Sequence, residues 1–271
     1  MTELQRKLLE MLIWLDHFCR DHNLQYYAIG GTLLGAMRHQ GFIPWDDDID
    51  IGMPRPDYEQ LKYLMKNEIF DRYLLETENS NNWEYCYPFS KLYDTTTTLV
   101  ENVRTGLKRG IYIDIFPIDG IGKGDNPDIR WYSKIKRKYS LYLTRVAGIR
   151  KGRNPLKNFS IKVMQIFPQF IIDDVKLRKD ISVMCQKYSL YDSKWAGNLV
   201  GNWWKKEIIP SYFFGKPVEY LFEGFKIYGV ERADEYLTAL YGEWRKLPPV
   251  YAQVSHHDYL KCDLNNGYLK K

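Results

Sequence analysis

Cysteine is scarce and unpaired. Cys19, Cys86, Cys185 and Cys262 are scattered over 271 residues with no C-x-x-C pair, so neither a zinc site nor a disulfide framework is indicated. A long apolar run is missing as well. The longest weakly polar stretch, Phe159 to Ile172, contains Lys162 and two Gln and is too short to span a bilayer. Apolar residues near the N-terminus alternate with Arg6, Lys7, Glu10 and Asp16, which suits an amphipathic helix and not a secretory signal. No repeat or low-complexity tract occurs. These absences lead to the expectation of a globular protein in a reducing, cytoplasmic compartment.

At 271 residues the chain can bury a large core, as one domain or as one domain plus an appendage. Aromatics are abundant, with 22 Tyr and 8 Trp. Most of them serve ordinary packing; a cation or sugar site needs only a few. His39, His256 and His257, the histidines beyond the first helix, read as structural or solvated side chains.

The densest information lies between residues 30 and 51. Gly30-Gly31-Thr32 is followed by Pro44-Trp45-Asp46-Asp47-Asp48-Ile49-Asp50-Ile51. Strand side chains alternate, so Asp48 and Asp50 on one strand point the same way. Two carboxylates side by side repel unless a cation lies between them. Hard divalent ions such as Mg²⁺ prefer such oxygens and bring phosphate chemistry with them; Mn²⁺ takes the same donors. A solvated acidic loop is the plain alternative. It fits poorly with Phe42, Ile43, Trp45, Ile49, Ile51 and Met53 around the run. An EF-hand needs a central Gly and a distal Glu at set offsets.

A second acid sits in an apolar strand, Ile111-Tyr112-Ile113-Asp114-Ile115-Phe116-Pro117. A buried, unpaired carboxylate is costly, so Asp114 needs a metal, a cation or a hydrogen-bond network. Beside Asp48 and Asp50 it would complete a three-carboxylate metal site. Asp119, past Pro117, is expected in a turn. Gly30 and Gly31, with Thr32, are expected to let backbone N–H groups approach a phosphate at a helix start. Arg38 and Lys91 are candidate partners for phosphate oxygens.

The periodicity predicts a helix over residues 2–23, with Thr2 and Gln5 as a capping box. A strand over 25–29, a short helix through Met37, a strand over 48–53 and a helix opening at Pro56 and running to about Asn67 follow. Further strands are expected at 73–76, 89–93, 95–100 and 111–116, the last closed by Pro117. Residues 127 to about 205 read as mostly helical, with breaks at Gly148, 152–155 and Pro168. Residues 212–230 return to strand-like alternation, followed by a helix near 232–241 and a polar tail. The expected organisation is an α/β (α+β) core over 1–126, a helical, basic subdomain over 127–211, and a segment over 212–271 that returns to the core.

Charge is unevenly spread. Arg130 to Lys162 holds eleven Lys or Arg and no acid, while the whole chain is +5, leaving the remainder at about −6. Such stripes attract phosphates, polyanions or anionic lipid; a solvated helix face is the alternative.

The run from Gly30 to His39, then Gly41-Phe42-Ile43-Pro44-Trp45-Asp46-Asp47-Asp48-Ile49-Asp50-Ile51, resembles the signature of the LicD/fukutin family. So do Gly110 to Asp119, and Tyr241-Gly242-Glu243-Trp244 with Leu247-Pro248-Pro249. The resemblance covers about residues 20–120 and 220–260. It implies a nucleotidyltransferase-like fold in which Asp48, Asp50 and Asp114 hold Mg²⁺ and Gly31 and Thr32 contact phosphate. It further implies transfer of phosphocholine from CDP-choline to a lipid-linked glycan, lipopolysaccharide or teichoic acid precursor, as in bacterial members, with CMP leaving. Relatives transfer other alcohol phosphates, such as ribitol phosphate. A trimethylammonium group has no hydrogen-bond donors, so aromatic faces should hold it; Trp45, Tyr85, Tyr87, Trp203 and Trp204 are the candidates. The basic stripe would then meet an anionic membrane surface or a polyanionic acceptor, with no nucleic acid partner. Three other readings stay open: a nucleotidyltransferase, a glycosyltransferase using Asp-x-Asp, and an inactive nucleotide-binding module.

Overall fold

The computed structural model describes residues 1–66, 68–149, 154–168, 170–255 and 259–269. The elements begin with α1 (Glu3–Asp21), β1 (Tyr27–Ala28), α2 (Gly30–His39), β2 (Asp50–Pro54) and α3 (Arg55–Leu64). Then come β3 (Ile69–Phe70), β4 (Tyr73–Glu76), β5 (Ser90–Asp94), β6 (Thr98–Glu101), β7 (Lys108–Arg109) and β8 (Tyr112–Gly120). The helices α4 (Ile129–Val146), α5 (Pro155–Ile166) and α6 (Asp174–Cys185) follow. The chain closes with β9 (Trp195–Gly197), β10 (Ile209–Pro210), β11 (Val218–Phe222), β12 (Phe225–Gly229), α7 (Ala233–Tyr241) and β13 (Tyr259–Asp263). The fold is α+β.

The principal sheet is mixed, in the order β11-β12-β1-β2-β8-β5-β4-β3, with β9 and β10 attached to β8. Its centre is the parallel pair β2–β8. Parallel strands are covered on both faces and so read as near-continuous apolar runs, as Ile111 to Ile115 does. Helices α1 and α3 pack against β8, and α2 packs against β2 and α7. Helix α1 forms as its pattern predicts. Thr2 and Gln5 make the reciprocal capping box, and Leu8, Met11, Leu12, Leu15 and Cys19 are buried. Each large aliphatic side chain among them contributes about 1.5–3 kcal/mol on burial.

Two expectations fail at β8. Pro117 lies inside the strand, and Asp119 is a strand residue, 1% exposed. The Asp114 N–H donates towards β2, to Ile49 O, so by alternation the Pro117 nitrogen faces the opposite edge. There β5 ends opposite Ile115 and β9 begins opposite Asp119. No ladder bond is lost, which is the condition for proline within a sheet. Asp119 is paired with Arg55, whose Nε lies 2.9 Å from Oδ1 and whose second amino nitrogen lies 2.5 Å from Oδ2.

The tail is not merely polar: β13 pairs with β6 in a second, three-stranded sheet with β7. Nor is the basic stripe one surface. Lys136 and Arg145 are buried, and Lys138 pairs with Asp180 at 2.7 Å. Arg150, Lys151 and Arg153 lie outside the described residues, as do His256 and His257. Arg145 is a tie between helices: it donates to Met164 O, Phe167 O, Ile172 O and the Asp174 carboxylate.

Removing one partner of a buried ion pair strands the other charge, at a cost of about 3–5 kcal/mol. Arg55→Met should lower stability to urea by that amount. Adding Asp119→Asn to it should recover a substantial part. A loss near zero in the single variant would show that Asp119 does not depend on Arg55.

Candidate active site

Register builds the site. Parallel pairing sets Asp50 of β2 beside Asp114 of β8, and antiparallel pairing sets Lys91 of β5 opposite Asp114. Paired residues on neighbouring strands share a face, so one acid–acid–lysine row crosses three strands. Lys91 is 1% exposed. Its Nζ lies 2.8 Å from Asp114 Oδ1 and 3.7 Å from Glu101 Oε2. The same ammonium sits over the rings of Tyr112 and Tyr87, 3.2 and 4.0 Å from their centroids.

The glycines begin α2 and do not form a separate turn before it. Gly30 has φ of +53°, a left-handed conformation that side chains disfavour. A Cβ there would meet Asp50 Oδ2 at 3.1 Å, and one on Gly31 would meet Asp46 Oδ2 at 2.8 Å. The two glycines therefore make room for carboxylates. Thr32 Oγ1 accepts from the Asp50 N–H at 2.8 Å, which fixes where β2 starts. The Gly30 N–H reaches Tyr236 Oη at 3.4 Å.

The acidic loop is clamped from outside. Gln5 Nε2 donates to Asp46 O at 2.8 Å, and the Phe42 N–H donates to Glu223 Oε1 at 3.0 Å. Glu223 and Gly224, both at positive φ, form the tip of the β11–β12 hairpin, as a type I′ turn requires. Asp47 accepts from Ser255 Oγ at 2.7 Å and from the Tyr259 hydroxyl. One carboxylate oxygen each from Asp46, Asp47 and Asp48 lie within 4.8 Å of one another. Among the described residues, Asp48, Asp50 and Asp114 do not converge that closely; Asp114 is held by Lys91 instead.

Charge is concentrated here. Burial, then the neighbouring Asp48, Asp114 and Asp46 carboxylates, push the Asp50 carboxyl well above its usual range. Burial raises Asp114 to about 6, with Lys91 pulling it back. Burial raises Glu207 to about 7, opposed by the Trp203 N–H and Lys136. Oxygen-only donors in mutual repulsion fit a hard divalent cation.

Asp48, Asp50, Asp114, Lys91 and Gly30 line one pocket of about 480 Å³. Tyr87 and Trp203 line it too. The other expected residues sit elsewhere. Gly31 and Thr32 stand behind the wall, supporting Asp46 and Asp50. Arg38, at the far end of α2, donates to Trp244 O at 2.9 Å and to His39. Trp45 packs edge-on against His39. Tyr85 is buried, its hydroxyl donating to Phe89 O. Trp204 is exposed.

Pocket residues that sequence reasoning missed include Glu101, Glu207, Tyr112, Tyr236 and Tyr241. Tyr112 had a signal, since it lies two positions before Asp114 on the same strand face. Glu207, in Trp203-Trp204-Lys205-Lys206-Glu207, had none.

Residues 23–141 match the family model described as LicD/FKTN/FKRP, nucleotidyltransferase domain. The lipopolysaccharide cholinephosphotransferase LicD of Haemophilus influenzae is 28% identical over 262 residues, spanning 95% of this chain and 96% of the relative. An uncharacterised protein of Rickettsia prowazekii is 30% identical over 159 residues, 48% of this chain and 58% of its own. The human ribitol 5-phosphate transferase FKRP is 41% identical over 51 residues, 18% of this chain and 10% of its own.

A carboxyl whose pKa is raised by folding binds its proton more tightly in the native chain than in the unfolded one. Its contribution to stability therefore falls as pH rises from its unfolded value of 3.8 through about 6. Asp114→Asn keeps the neutral shape and escapes that loss. In EDTA, its stability relative to the unsubstituted protein should rise between those pH values in urea titrations. A difference independent of pH would show that Asp114 is not raised.

Proposed function

The chain belongs to the LicD/fukutin family, and from that premise we propose that it moves phosphocholine from CDP-choline to a sugar hydroxyl of a lipopolysaccharide-type glycan or teichoic acid precursor, releasing CMP. The observation that carries this reading is one pocket holding Asp48, Asp50, Asp114 and Lys91 beneath an aromatic wall, in a chain similar over nearly its whole length to a cholinephosphotransferase.

In the proposed reaction the acceptor oxygen attacks the phosphorus bearing choline. The new O–P bond forms as the bond to CMP breaks, and CMP departs with the electron pair. Asp48 and Asp50 would hold Mg²⁺, or Mn²⁺, which would supply charge stabilisation for the phosphoryl oxygens and the leaving phosphate. Asp114 takes the hydroxyl proton through the carboxylate oxygen that Lys91 does not hold. Lys91 holds Asp114 Oδ1 in place and keeps positive charge beside the reacting phosphate. Gly30 keeps the wall beside Asp50 free of a side chain.

The choline end belongs at Trp203 and Tyr241. Their rings meet edge to face at 5.3 Å, and both line the pocket together with Glu207. An aromatic face beside a carboxylate suits a quaternary ammonium, which cannot donate hydrogen bonds. Tyr87 is already covered by Lys91. Trp45, Tyr85 and Trp204 are outside the pocket lining, so they drop out of the choline role.

The test offers the purified protein a panel of CDP-alcohols with Mg²⁺ and measures CMP. CDP-choline should be turned over. Turnover of CDP-ribitol alone would change the alcohol, and pyrophosphate release from a nucleotide would make the protein a nucleotidyltransferase. Binding without turnover would make it a binding module. Asp48→Asn and Asp50→Asn should each lower turnover about a hundredfold or more, since a lost ligand to transition-state charge costs several kcal/mol. Near-normal turnover in either would remove that residue from the site.

A further inference from the structure

Helix α5 shows an apolar stripe to solvent. Its inward side is defined by Ile161, its one buried residue, and by Gln165, whose side-chain amide donates to Ala147 O at 2.8 Å and Arg145 O at 3.2 Å. Leu156, Phe159, Val163 and Ile166 recur at spacings of three, four and three, which places them on one helix face. That face is opposite Ile161 and Gln165 on a helix of 3.6 residues per turn. All four side chains are exposed, Leu156 and Ile166 by more than three quarters. The turn after the helix continues the surface with Phe167, Phe170 and Ile171, and Phe170 is 88% exposed. An ordinary surface helix turns its apolar stripe inward; this one turns a second stripe outward.

Charge on the helix itself is of one sign, and the first acid after it, Asp173, lies beyond the turn. Lys157 and Lys162 are exposed on the same helix, and no Asp or Glu occurs between Ile129 and Ile172. A second copy of this chain would fit poorly. An isologous contact sets the same patch against itself, and Lys162 would face its own copy with no acid on the helix to pair it. An anionic bilayer supplies both missing halves: acyl chains for the apolar side chains and phosphate headgroups for Lys162.

We propose that α5 and the turn through Ile171 form an interfacial anchor that lies in the headgroup region of an anionic lipid bilayer. Phe159, Ile166 and Phe170 insert, and Lys162, which flanks the stripe beside Ile166, meets a lipid phosphate. This surface replaces the broad basic stripe as the membrane-facing element, because Lys136 and Arg145 are buried. The anchor is mechanically tied to the pocket. Ala147 lines the pocket, and its carbonyl oxygen accepts from Gln165 of α5. Docking would therefore hold the pocket wall one helix layer from the membrane, where a lipid-linked acceptor is presented.

The anchor does not rest on the transferase reading, and its test measures partition alone. Sedimentation with vesicles of phosphatidylcholine, with and without phosphatidylglycerol, is compared at low salt. The unsubstituted protein should pellet with the anionic vesicles. Phe159→Ser, Ile166→Ser and Phe170→Ser combined should cut partition about tenfold or more with an unchanged circular dichroism spectrum, the side chains being exposed. Lys162→Gln should weaken the preference for anionic vesicles. Failure of the unsubstituted protein to pellet, or undiminished pelleting of the triple variant, would overturn the proposal. So would a dimer in sedimentation velocity that the triple variant converts to monomer, which would make the face a contact between copies.

Discussion

Like-charge repulsion in a confined space governs this molecule. Asp50 and Asp114 stand side by side because β2 and β8 pair in parallel with that register, and Asp48 enters the same pocket. Carboxylates so placed oppose each other's ionisation. Among the described residues, Lys91 sits between Asp114 and Glu101 under two tyrosine rings. Clustered carboxylate oxygens are the donors a hard divalent ion prefers, and that is the physical reason to propose one here.

Holding such a group together takes scaffolding from distant parts of the chain. Gln5 of α1, Glu223 of the β11–β12 hairpin and Tyr259 of β13 each fasten a different point of the loop from residue 41 to 48. Thr32 fastens Asp50 through its N–H. These contacts span the length of the chain, so the acidic loop is set by the whole fold and not by its local sequence. The family signature at the C-terminus finds a structural reason in the same way. Tyr241 lines the pocket, and Trp244 accepts from Arg38 through its carbonyl oxygen. A residue expected at phosphate thus serves as the tie between α2 and the chain end.

Much of this was legible in the residues. The capping box of α1 and the isolated Asp114 were readable because each follows a short-range rule of period or capping; Asp48 and Asp50 do share the pocket, but β2 begins only at Asp50, so strand alternation is not what aligns them. The strand carrying Asp114 was expected to stop at Pro117, because local chemistry says proline ends a strand. Only the gap between β5 and β9 makes it harmless. Asp119 looked like a turn residue for the same reason, and its partner Arg55 lies 64 positions away. Cation counting along the chain could not reveal that Lys136 and Arg145 point inward. It also missed that the outward face of α5 is apolar, since helical phase relative to the core is a tertiary property. Glu207 and Tyr236 reach the pocket through chain reversals with no sequence mark.

The divalent-cation site proposed at the carboxylates of this pocket is open to direct measurement. Titration of Mn²⁺ followed by the paramagnetic signal of the free ion tests it without any substrate. The unsubstituted protein should bind Mn²⁺ at neutral pH, more weakly as pH falls through about 6, where Asp114 takes up its proton, and Asp50→Asn should abolish or greatly weaken that binding. Equal Mn²⁺ binding by the two proteins, or none by either, would contradict the account.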